Sequence, residues 1–258
     1  MDQVRLERQG AVGRLVLARP AKRNAQTPEM WTELRKIGAG LLIEPDLRVL
    51  IVEGEGEVFS AGIDLGVLMG QARGDESLSI DVEEAQQAFS WLRETPFPTI
   101  AAVQGAALGA GFQLALACDL RILAEGTVCG LPEVDFGIFP DLGGCAWLPE
   151  LVGSAKAKEL IFTGERFDAA TALALGLANR VVPASELGAT VDRLAESLAA
   201  KAPLALRAAK WVIDAGIHPA EGALRRSAME VRSLLGSEDF REACLAATEK
   251  RPPVFRGR

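Results

Sequence analysis

Residues Thr99–Asp119 read TIAAVQGAALGAGFQLALACD. The opening run, Thr99 to Val103, is short and mostly apolar, the pattern of a buried strand. A glycine-rich stretch from Gly105 to Gly111 follows it. Phe112 to Ala117 then reads as a helix and Leu120 to Leu123 as the next strand. Strand, helix and strand in this order imply a parallel βαβ unit with its helix outside the sheet.

The same alternation extends toward the N-terminus. Leu47 to Val52 is a second buried strand, bounded by Gly54 and Gly56. Val4 to Arg8 alternates apolar and polar residues, as a half-exposed strand does, and Gly13 to Leu17 resembles its hairpin partner. Thr27-Pro28 opens a helix, a cap residue followed by proline at the first helical position, that should run to about Leu42. A polar periodic stretch from about Asp75 to Arg93 is also helical. Beyond Gly143 the pattern changes. Helices are expected near 143–151, 154–162, 168–175, 185–200, 203–215, 219–235 and 238–249, with one short strand at Asn179–Val182. No linker, repeat or low-complexity run separates this helical region from the rest.

Composition narrows the function classes. The chain has 258 residues, 49% of them hydrophobic, enough for one large domain or a domain with an appendage. A net charge of −7 argues against nucleic acid as a partner. No apolar span suits membrane insertion, and Met1 to Arg5 lacks the start of a secretion signal. Cys118, Cys129, Cys145 and Cys244 lack metal-type pairing, so reduced thiols in a cytoplasmic protein are expected. His218 is the sole histidine and tyrosine is absent. Triad and histidine–metal chemistry are therefore poorly supplied, and neither a metal nor a redox cofactor is expected.

Three segments are candidates for chemistry. Phe59-Ser60-Ala61-Gly62-Ile63-Asp64 and Gly105 to Gln113 each follow a buried strand and are rich in small residues, which let a ligand approach the backbone. Helix starts leave amide hydrogens unpaired, and two that converge on one oxygen would stabilise an enolate. Ordinary strand-to-helix turns with tight packing account for the same spacing. Neither segment completes a dinucleotide fingerprint. The third, Leu131 to Gly144, sets Glu133, Asp135 and Asp141 among large apolar residues. A carboxyl in apolar surroundings has a raised pKa and exchanges protons near neutrality. Pro140-Asp141 before a helix is equally an N-cap, and Glu133 equally a surface or salt-bridged carboxylate.

Taken in order, these segments resemble the crotonase (enoyl-CoA hydratase/isomerase) family. Arg19-Pro20-Ala21-Lys22-Arg23-Asn24-Ala25 is similar to its early CoA-contact loop. Phe59 to Asp64 and Gly105 to Asp119 resemble its two oxyanion motifs. Glu249 to Phe255 resembles its C-terminus. The likeness runs from about Val4 to Gly257. It implies an α/β fold, a crotonase-like spiral of ββα turns with a helical C-terminal region. Residues 1–195 would form the spiral core with the acyl-CoA site, and 196–258 a region for homotrimer or homohexamer assembly. It implies an acyl-CoA thioester as substrate, with CoA part of the substrate and no separate cofactor. It places the oxyanion amides at Ile63 and Ala110 and CoA contacts at Arg23, Ala25, Ala61, Asp64 and Lys250. Phe112, Phe139 and Trp147 are candidate walls of the acyl pocket; core packing explains them equally well.

Family hydratases hold one water between two glutamates. Glu133 matches the second position, but the first is Gln113, which cannot accept a proton as a carboxylate does. Asp141 matches a position where other members carry a working acid. The resemblance thus implies double-bond isomerisation of an enoyl- or dienoyl-CoA, with Glu133 and Asp141 dividing the acid and base roles. A hydratase using Glu133 and a water held by Gln113 is the alternative. A non-catalytic acyl-CoA-binding protein is a third reading.

Overall fold

The computed structural model describes residues 2–72, 80–216 and 251–258, with Glu238, Asp239, Glu242, Ala246 and Glu249 between them. The expected helix over 219–235 lies outside these residues, as do most of 238–249 and Lys250.

The main sheet has the order β1-β2-β3-β4-β6-β9. β1 (Val4–Gln9) and β2 (Val12–Leu17) form the expected antiparallel hairpin at the edge. β3 (Val49–Gly54), β4 (Thr99–Val103), β6 (Leu120–Ala124) and β9 (Arg180–Val182) continue it in parallel. Every residue of β4 is buried. That is why it reads as an unbroken run: strands covered on both faces have no polar side to alternate with.

The two faces have different covers. On one, Val49, Ile51, Ile100, Ala102 and Ile122 pack against Leu187, Val191 and Ala195 of α7 (Leu187–Ala199). On the other, the larger core collects Trp31 and Leu34 of α1 (Pro28–Leu41) with Phe89 and Leu92 of α3 (Val82–Glu94). Between those two helices in the chain lies α2 (Leu65–Ala72). The start of α1 follows the sequence reading: the Met30 amide donates to the Thr27 hydroxyl at 3.3 Å, with Pro28 in the first turn.

The short strands of a second sheet were not read individually from the sequence pattern, although the ββα turns implied by the resemblance require such strands. β5 (Ala106–Leu108), β7 (Val128–Gly130) and β8 (Arg166–Asp168) form that sheet in the order β5-β7-β8. The C-terminal half therefore has a strand besides Asn179–Val182, which corrects the reading of that region. The chain alternates between sheets: β4, β5, then α4 (Ala110–Ala117); β6, β7, then α5 (Gly144–Thr163). This is the expected ββα repeat. Gly105 makes the bend from β4 into β5, at φ +66°, where a Cβ would lie 2.1 Å from the Glu57 carbonyl oxygen. Only glycine fits there. The helices expected at 143–151 and 154–162 are the two arms of α5, separated by non-helical backbone at Gly153. α6 (Ala169–Ala174) and α8 (Pro203–Gly216) match the remaining expectations.

Candidate active site

The loop after β3 is stitched to β5. The Ser60 amide donates to the Ala106 carbonyl at 3.0 Å, and the Leu108 amide donates back to the Ser60 carbonyl at 3.1 Å. The Ser60 hydroxyl, fully buried, donates to the Asn24 carbonyl at 2.8 Å. Gly111 lies directly beneath, where a Cβ would stand 2.5 Å from the Ser60 carbonyl oxygen. The small residues of both segments are thus explained by contact between them.

This stitching brings Ile63 and Ala110 to one cavity. Ile63 is bracketed by Gln26: the Gln26 amide donates to the Gly62 carbonyl at 2.7 Å and the Asp64 amide to the Gln26 carbonyl at 2.8 Å. Ala110 is the first residue of α4, after Gly109 at φ +52°. A Cβ placed on Gly62 would lie 3.8 Å from the Ala110 nitrogen. Among the described residues neither the Ile63 nor the Ala110 amide hydrogen finds a partner.

The cavity has a volume of about 510 Å³. Of the residues singled out from sequence, Arg23, Ala25, Ala61, Ile63, Asp64, Ala110, Gln113, Glu133 and Asp141 line it. Glu133 sits in a 3₁₀ turn (Pro132–Phe136) and is 7% exposed; Gln113, in α4, is 1% exposed. Gln113 Nε2 donates to Glu133 Oε1 at 2.7 Å, and the Gly144 amide donates to Gln113 Oε1 at 2.9 Å. A backbone N–H only donates, so Gly144 fixes which end of the Gln113 amide faces Glu133. Glu133 Oε2 is buried and has no hydrogen-bond partner.

Burial pushes the Glu133 carboxyl up to about 7; the Gln113 bond opposes this and the nearby Asp141 adds to it. Burial also raises the Asp141 carboxyl. Gln86 Nε2, from α3, donates to the Asp141 carbonyl at 2.8 Å and holds that turn. Partial burial raises Asp64, but the Gly66 amide and the Arg19 guanidinium outweigh it and leave the carboxyl below its ordinary value.

The three aromatic candidates are placed elsewhere. Phe112 is in the core, edge-on to Phe167 with ring centres 5.6 Å apart. It precedes Gln113 on α4, so the two side chains leave the helix in different directions. Phe139 is 60% exposed. Trp147 is half-buried against the core beneath the Arg93 guanidinium. The apolar lining comes from Leu65, Leu68, Phe136 and Ile138, and Lys22 and Arg166 add charge. Leu65 and Leu68 are spaced i, i+3 on α2, a signal indistinguishable in sequence from a core-facing stripe.

Asn24 was also not singled out. It is fully buried with φ +52°, beside Arg23 at φ +52°. Its Nδ2 donates to the Glu55 and Val58 carbonyls at 3.0 and 2.6 Å, and its Oδ1 accepts from the Arg19 amide at 2.9 Å. These bonds hold a backbone shape that non-glycine residues seldom adopt. Cys118 and Cys129 are buried and Cys145 is exposed. Among the described residues no acidic, histidine or cysteine cluster could hold a metal, and no helix is long and apolar enough to cross a membrane.

The family model described as enoyl-CoA hydratase/isomerase matches residues 7–258, a span that contains every cavity segment. The chain belongs to the enoyl-CoA hydratase/isomerase family. Enoyl-CoA isomerase/hydratase fer4 of Mycosarcoma maydis is 40% identical over 259 residues, covering 95% of this chain and 92% of that protein. An enoyl-CoA hydratase from Bacillus anthracis superposes with a TM-score of 0.92 at 34% identity, over 99% of this chain and 100% of that one. A Thermobifida fusca protein solved in complex with CoA is 38% identical with a TM-score of 0.82, over 91% of this chain and 93% of that one. The crotonase-like fold is therefore shared across solved hydratases, and the chain is an enzyme of the hydratase/isomerase family.

Proposed function

We propose that this enzyme moves the double bond of an enoyl- or dienoyl-CoA thioester. The CoA complex of the Thermobifida fusca relative supports a CoA thioester as ligand. The thioester oxygen is received by the Ile63 and Ala110 amides. Losing one such donor costs about 3–4 kcal/mol of transition-state stabilisation. CoA runs past Arg23, Ala25 and Ala61.

The observation that carries the isomerase reading is the bond from Gln113 to Glu133. It occupies Glu133 Oε1, while Gln113 Oε1 accepts from Gly144. Gln113 turns its amide NH2 toward Glu133, so a water beside Glu133 meets a neutral amide there and no second carboxylate to take its proton. Glu133 is left with one unpartnered oxygen, Oε2, on a carboxyl that titrates at about 7. Such a group takes a proton from C2 of a 3-enoyl thioester, and the C–H electrons pass into a dienolate held at the oxyanion site. The protonated carboxyl then returns the proton at C4, giving the 2-enoyl isomer with no atoms gained or lost. Asp141, also raised, is the candidate second acid for longer transfers. Hydration of 2-enoyl-CoA is the alternative reading, favoured by the hydratase names among the relatives. Assembly as a homotrimer or homohexamer through the C-terminal region belongs to the same proposal.

The test is turnover of 3-enoyl-CoA by the wild type, Glu133→Gln and Asp141→Asn. Loss of a proton-transfer group lowers the rate by about 10²–10⁴-fold. The reading expects this for Glu133→Gln and a smaller loss for Asp141→Asn. Unchanged isomerisation by Glu133→Gln would overturn it.

A further inference from the structure

The wall formed by Lys22, Arg23 and Ala25 and the wall formed by Ala61 to Asp64 face the same cavity from different loops. One side chain spans them. Arg19 NH1 donates to the Ala25 carbonyl, and NH2 donates to Asp64 Oδ2 at 3.1 Å. Both members are largely shielded, with side-chain exposures of 20% and 22%. The Arg19 carbonyl also accepts from the Lys22 and Asn24 amides, each at 2.9 Å, so the residue anchors its own loop as well. Asp64 is engaged on its other oxygen, which accepts from the Gly66 amide at 2.9 Å at the start of α2.

We propose that Arg19 and Asp64 are positioning residues: their ion pair latches the loop of Lys22, Arg23 and Ala25 to the loop after β3 and so holds the basic Lys22–Arg23 wall in place for the phosphates at the nucleotide end of the thioester. Asp64 serves this wall through Arg19, with its carboxylate turned to the latch. The inference rests on the CoA reading given above. The latch matters because the loop it fixes carries two adjacent residues with positive φ, Arg23 and Asn24. A strained loop without its tie samples other shapes, and binding then includes the cost of reordering it. The groups facing the latch are Lys22, Arg19, Asp64 and the Gly66 amide; Lys22 also helps hold the Asp64 carboxyl ionised.

The effect therefore falls on KM for a CoA thioester more than on kcat. A partly shielded ion pair of this kind contributes about a fivefold change in binding. A pantetheine thioester lacks the nucleotide phosphates, gains nothing from Lys22 and Arg23, and should respond less.

The experiment compares CoA and pantetheine thioesters of one acyl group with wild type, Asp64→Asn, Asp64→Glu and Arg19→Gln. Asp64→Asn keeps an acceptor for the Gly66 amide and removes the charge, so α2 retains its cap. The expected result is a KM for the CoA ester raised about fivefold in Asp64→Asn and Arg19→Gln, partly restored in Asp64→Glu, with a clearly smaller rise for the pantetheine ester. Thermal melting of Asp64→Asn separates this from a folding defect. An unchanged KM for the CoA ester, or equal increases for both esters, overturns the latch. A wild type that does not distinguish the two esters overturns the CoA reading itself.

Discussion

Gln113 Nε2 lies 2.7 Å from Glu133 Oε1, a bond between two buried side chains that start on different elements, α4 and the turn after β7. It makes the carboxyl of Glu133 two-sided: one oxygen held by the protein, the other unpartnered. The bond also stabilises the ionised form, against the burial that disfavours it.

Replacing Gln113 by Leu removes that support. The Glu133 carboxyl should titrate above its present value of about 7. The rising limb of kcat against pH then moves to higher pH, because the base form is harder to reach. Steady-state rates from pH 5 to 9 check the direction of the shift. The Gly144 amide also loses its acceptor, so a fall in stability of about 1–3 kcal/mol accompanies the change.

Glu133 is expected to make the fold less stable as pH rises. Its carboxyl titrates near 4.5 when unfolded and at about 7 in the folded chain. The neutral form is favoured by burial, so stability is full below about pH 4.5 and declines up to about pH 7. The difference corresponds to roughly 3 kcal/mol, at about 1.4 kcal/mol per pH unit. Glu133→Gln cannot ionise and keeps an acceptor for Gln113. It should match the wild type in denaturant unfolding at pH 4 and exceed its stability at pH 8.

Gly111→Ala should loosen both amide-bearing segments together. Its methyl group would meet the Ser60 carbonyl oxygen at 2.5 Å, and that carbonyl already accepts from Leu108. Neither backbone can yield without breaking the stitch. A loss of about 1–3 kcal/mol is expected from denaturant unfolding. kcat should fall as well, since Ala110 adjoins the altered position.

Much of this arrangement was legible in the sequence. β3 and β4 are buried on both faces and announce themselves as apolar runs, and Thr27-Pro28 fixes the start of α1 by local chemistry alone. β5, β7 and β8 span three residues each, too few for a period to register, and they exist because they pair with one another. Most residues lining the site were placed by the resemblance of short local segments to crotonase motifs, since their spacing alone fits ordinary turns and caps equally well. Their couplings were not legible: Gln113 meets Glu133, and Arg19 meets Asp64, only when separate loops converge. Phe112 shows the converse, an aromatic residue beside the site in sequence whose helix turns it into the core.

The most direct measurement is mass spectrometry of the products formed from 3-enoyl-CoA and 2-enoyl-CoA in ¹⁸O-labelled water. The account predicts a shifted double bond from 3-enoyl-CoA with no added mass, and no more than trace hydration of 2-enoyl-CoA. Rapid conversion of 2-enoyl-CoA to a product heavier by one labelled water would contradict it, and would mean that Glu133 activates water despite its bond to Gln113.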